Sequence, residues 1–118
     1  WAMAIQQFEG FYPGSRSYKN NNPGNIRYFS GLFASLAIGK DDKGFCVFET
    51  YAKGFSALVT LLTRAATGLS TVYSPENTIL AFYEIYAPSS DDNHPAGYAN
   101  FVASKLGVPV TTKIKDLL

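Results

Sequence analysis

In the stretch AIQQFEGFYPGSRSYKNNNPGNIRY, residues 4–28, a single carboxylic acid, Glu9, stands among aromatic residues, and the next acid is Asp41. Trp1, Ala4, Ile5 and Phe8 recur at i, i+3, i+4 and i+7, the spacing of one helical face. Gly10 suits the position just past a helix end, and Pro13-Gly14 marks the exit of the chain. On a helical wheel Glu9 lies about 40° beyond Ile5, at the rim of the apolar stripe. A carboxylate at a helix C-terminus meets the negative end of the macrodipole, and rings packed over it would strip its water; both disfavour ionisation. An acid kept protonated near neutral pH can hand its proton to a leaving oxygen, which is what breaking a glycosidic bond requires. The plain alternative is a solvated glutamate at a helix end.

Working outward, SRSYKNNNPGN (residues 15–25) is turn chemistry, rich in asparagine with a Pro-Gly pair. IRYFSGLFASLAIG (26–39) and GFCVFETY (44–51) read as short strands joined by KDDKG (40–44), a small antiparallel hairpin. The longest helix is expected over 51–67, capped by Thr50, with Tyr51, Phe55, Leu58, Leu62 and Ala65 as its main stripe. Val59, Leu61 and Ala66 widen that stripe, as befits a central, buried helix. A second long helix is expected over 77–86 and a third over 95–106, opening on a favoured proline and closing at Gly107. TKIKDLL (112–118) makes a final short turn. The fold class expected is therefore α+β, mostly helical, in one domain spanning 1–118.

Composition narrows the functions. Apolar residues make up 47% and charged residues 16%, a globular balance. A formal net charge of +1 gives no strong electrostatic case for nucleic acid or an anionic membrane. No apolar run has transmembrane length. One cysteine, Cys46, and one histidine, His94, offer neither an internal disulfide nor a zinc site. The load of 8 tyrosines, 9 phenylalanines and Trp1 is high enough that some rings are expected to line a cleft. Because the chain opens on Trp1 with no leader, it is expected to be an excised domain or a processed form.

An acid closing a first helix, then a small hairpin, then a buried central helix resembles the lysozyme-like superfamily. Residues 4–28 resemble the opening of peptidoglycan-cleaving domains of lytic-transglycosylase type, found in bacteria and phage virions. There a Glu-Gly pair is followed by Asn-Asn-Pro-Gly-Asn-(Leu/Ile)-Arg, as Glu9-Gly10 and Asn21 to Arg27 stand here. GFCVFETYAKGFSALVTLL (44–62) and YAPSSDDNHPAGYANFVASKLGV (86–108) are similar to the same pattern. The chain departs from typical soluble relatives in having Gly10 where they carry serine, and NPGNIR where they carry a Gly-Leu-Met-Gln turn. The resemblance implies cleavage of the β-1,4 bond between N-acetylmuramic acid and N-acetylglucosamine. Glu9 would be the general acid and then the base, without cofactor or metal. It further implies an extracytoplasmic domain that meets glycan strands, does not insert in membranes, and is monomeric or part of a larger assembly.

Other residues have candidate roles. Glu49, at the end of the second strand, is the rival second carboxylate that a hydrolase would need; otherwise it is a helix-start acid favoured by the dipole. Asn22 and Asn25 flank Pro23-Gly24, and their amides can bind sugar N-acetyl or hydroxyl groups or simply hold the turn. Arg27 is a candidate to pair with an acid. Tyr86, Asn93 and Tyr98 surround the loop after the second long helix and can stack or orient a sugar, with core packing the alternative for Tyr98. Asp91, Asp92, Asn93 and His94 lack calcium-loop spacing. Cys46 reads as a small strand hydrophobe. A hydrolase on the same polymer and a catalytically silent glycan-binding or virion structural domain are the rival functions.

Overall fold

The structure is a computed structural model that describes Trp1 to Leu118 except Ser30, Asp92 and the side chain of Asp91. The chain folds as two units, Ala2–Thr60 and Leu61–Leu118 with Trp1. Among the described residues there are six α-helices, two 3-10 helices and one two-stranded sheet, so the fold is mostly helical α+β.

In the first unit, α1 (Ala2–Phe8) buries Ala4 and Ile5. It ends where the pattern places its stop. Gly10, at φ 70°, donates to Gln7 O at 3.3 Å and Phe11 N to Gln6 O at 3.4 Å. Those paired bonds form a Schellman motif with Glu9 as the C-cap, and they require the left-handed backbone that glycine accepts. One turn of helix, α2 (Arg16–Lys19), follows, its N-cap Ser15 accepting from Tyr18 N.

The loop 20–26 is held by its asparagines. Asn22 is fully buried; its Nδ2 donates to Ile26 O and Cys46 O, both at 3.0 Å, and its Oδ1 accepts from Ile26 N at 2.9 Å. Asn20 Nδ2 donates to Asp41 Oδ2 at 2.9 Å, and Asn21 Nδ2 donates to Phe48 O at 3.1 Å. These bonds fasten the loop to β1 (Gly39–Lys40) and β2 (Cys46–Val47), which pair antiparallel with Gly39 opposite Val47. The connecting turn closes on Asp41, whose Oδ1 accepts from Lys43 N and Phe45 N at 2.9 Å each. Burial pushes the Asp41 carboxyl up. The amides of Phe45, Asn20 and Lys43 and the charge of Arg16 together outweigh it and hold the group below its ordinary value.

The strand expected over 26–39 is corrected. Only Gly39–Lys40 is strand; Arg27 makes an isolated bridge to Phe45, and Leu32–Leu36 is a short helix, α3. Leucine and alanine favour helix, and Leu32 and Leu36 stand four apart. Gly31, at φ 107°, breaks the extended path, and no residue of α3 is buried, so no sheet face calls for extension there.

The longest helix, α4 (Tyr51–Thr67), is capped by Thr50, whose hydroxyl accepts from Lys53 N at 3.1 Å. It runs through the boundary between the units. Leu58, Leu62 and Ala65 are buried as the stripe predicts, but Tyr51 and Val59 are each 41% exposed, so its burial is one-sided. Gly54 lies against the loop: a Cβ there would collide with the Asn21 carbonyl oxygen.

In the second unit, α5 (Ile79–Tyr86) starts two residues later than expected. Asn77 is occupied otherwise, its Oδ1 accepting from Ser74 N and its carbonyl from Ile114 N, and Thr78 caps the helix by accepting from Ala81 N. The last long helix, α6 (Pro95–Leu106), ends at Gly107 in the left-handed conformation. Rings fill the space between α5 and α6. Tyr83 stacks on Tyr98 at 4.3 Å, Phe82 on Tyr86 at 5.3 Å, and the Trp1 indole donates to the Tyr83 hydroxyl at 2.8 Å. A 3-10 turn, Ile114–Leu117, closes the chain with Ile114 buried.

Candidate functional site

Glu9 is positioned from both sides. Its backbone N–H completes α1 by donating to Ile5 O at 2.9 Å, and the Schellman turn after it sets the direction of the chain. The Ser17 hydroxyl donates to the Gly10 carbonyl at 3.5 Å, tying the turn to α2. The Glu9 side chain is partly buried, and its Oε1 accepts from Asn25 Nδ2 at 2.9 Å. Asn25 sits at φ 47° at the end of the asparagine loop, its backbone N–H donating to Asn22 O at 2.9 Å. Its Oδ1 is buried and meets no donor among the described residues.

This arrangement holds a carboxyl at a helix end, half open to water, with the Asn25 amide among its partners. Such a group can exchange a proton with a ligand oxygen, and the amide limits how the carboxyl can rotate.

The remaining candidates fall in different places. Asn22 has no surface to offer a sugar, since it is buried and its amide is spent on the backbone. Glu49 is exposed and accepts from Lys53 Nζ at 2.8 Å; that bond and the ammonium charge hold its carboxyl below the ordinary value. Tyr98 lies in the core of the second unit, 1% exposed, while Tyr86, edge-on to it at 6.1 Å, is partly open to water. Asn93 is exposed and its Nδ2 donates to Pro88 O at 3.4 Å, closing the loop after α5. Arg27 lies over the Phe45 ring at 4.5 Å and donates to Lys43 O. Burial pushes the Cys46 thiol up to about 11, the state of an inert apolar residue.

Among the described residues no three histidine, cysteine, aspartate or glutamate side chains gather as a metal set. Of the loop 91–94, Asp92 and the Asp91 side chain lie outside the described residues. No described helix is long and apolar enough to cross a membrane.

Sequence reasoning did not anticipate the bond from Asn25 to Glu9. The signal that could have found it is an asparagine directly after Pro-Gly, where the left-handed backbone aims a short amide away from the turn. It also missed Asp41, whose position four residues before Phe45 is that of a turn-closing carboxylate. Comparison with family models, with curated proteins and with solved structures finds no match.

Proposed function

We propose that this chain is a lysozyme-like domain of lytic-transglycosylase type, cleaving the β-1,4 bond between N-acetylmuramic acid and N-acetylglucosamine in peptidoglycan. The observation that carries the reading is the Glu9 carboxyl at the end of α1, partly buried and gripped by the Asn25 amide at 2.9 Å.

In this reaction Glu9 meets the glycan protonated and gives its proton to the glycosidic oxygen as the bond from C1 of the muramic acid breaks. The C6 hydroxyl of the same sugar then attacks C1, and the Glu9 carboxylate takes the hydroxyl proton. A 1,6-anhydro ring forms, the enzyme returns to its starting state, and no water is consumed. One carboxyl group suffices for both proton transfers. The exposed Glu49–Lys53 pair is consistent with this economy, because Glu49 is engaged by an ammonium group. The substrate places the domain outside the cytoplasm, against glycan strands.

The test is mass spectrometry of products released from purified sacculi. Anhydro-muramyl ends are expected. Reducing ends carrying an added water would replace the reading with a hydrolase, and binding without release would replace it with a silent glycan-binding domain.

A further inference from the structure

We infer that Asn25 is a positioning residue, kept at an energetic disadvantage because its amide aims the Glu9 carboxyl. The inference rests on the proposed role of Glu9 and adds the residue through which the loop acts on it. Two features of Asn25 are unfavourable in themselves. Its φ of 47° lies in the left-handed region, where a Cβ crowds the backbone. Its Oδ1 is buried without a donor among the described residues, leaving a desolvated acceptor unsatisfied.

Glycine at this position would remove both disadvantages. The turn itself does not need the Asn25 side chain. Closure comes from the Asn25 backbone N–H to Asn22 O and from the three bonds of the Asn22 amide. Glycine would forfeit the bond from Asn25 Nδ2 to Glu9 Oε1. Donation of an N–H suits the carboxylate form, which Glu9 occupies after releasing its proton and before taking the one from the C6 hydroxyl. Asn25 thus fixes the carboxyl at the moment when the attacking hydroxyl must find it. Local strain and an unsatisfied atom beside a reactive group are what a site that trades stability for orientation would show.

The experiment compares Asn25→Gly with wild type and with Glu9→Gln on soluble glycan strands, together with thermal melts and side-chain amide NMR. Asn25→Gly is expected to melt at or above the wild-type midpoint while kcat falls roughly ten- to a hundredfold and KM hardly moves. In wild type, the Asn25 side-chain amide resonances are expected to shift when Glu9→Gln is introduced. A midpoint that falls together with kcat would show that Asn25 only holds the turn. Unchanged kcat in Asn25→Gly beside an inactive Glu9→Gln, or amide resonances blind to Glu9→Gln, overturns the inference and leaves the proposed function standing. Activity in Glu9→Gln equal to wild type removes both.

Discussion

The loop 20–26 and the helix pair α5–α6 both bury side chains, by opposite means. The loop buries amides: Asn22 is closed off from solvent and satisfied by three hydrogen bonds to backbone. The helix pair buries rings, with Tyr83 stacked on Tyr98 and Phe82 on Tyr86. Ring burial is worth free energy in proportion to area and tolerates small shifts. Amide burial yields little net stability when satisfied and costs heavily when broken, so it dictates geometry more than it adds stability. The difference explains why the candidate acid is held from the loop: fixing a carboxyl calls for directional bonds.

Substitutions can break this contrast, and they rank by expected effect. Tyr98→Ala removes a ring that is 1% exposed and is expected to cost about 3–5 kcal/mol in urea unfolding, the range for large aromatic truncations. Gly54→Ala presses a methyl group into the Asn21 carbonyl and is expected to cost about 1–3 kcal/mol, as overpacking does. It should also displace the loop, so activity should fall further than stability; equal losses would mean the loop is more compliant than its hydrogen bonds suggest.

The smallest effect is a pH dependence. The folded Asp41 carboxyl lies below its ordinary value of 3.8. Its contribution to stability is therefore complete above that pH and is lost as pH falls through the lower folded value. Acid melts should show the wild type losing stability below pH 3.8 more steeply than Asp41→Asn. Parallel curves would mean that the turn is not held by the ionised carboxylate.

The same contrast governs what could be read in advance. The helical spans Tyr51–Thr67 and Pro95–Leu106 were legible because apolar spacing, Thr50, Pro95 and Gly107 all agree. Residues 32–36 misled, since leucine, phenylalanine and alanine in a short apolar run suit either helix or strand, and the absence of a buried face decides between them. At the candidate site, Glu9 stood out by its isolation among rings. The bond from Asn25 did not, because it spans 16 residues and depends on a left-handed backbone angle that no periodicity reports. Asn22 and Asn25 look alike in sequence, yet one amide is spent on the backbone and the other on the acid.

The most direct test of the account is release of muropeptides from purified sacculi by wild type and by Glu9→Gln, with thermal melts showing that both are folded. The account predicts steady release by wild type and a loss of at least about a hundredfold in the variant, the scale of a missing general acid. Equal release by the two proteins would contradict it.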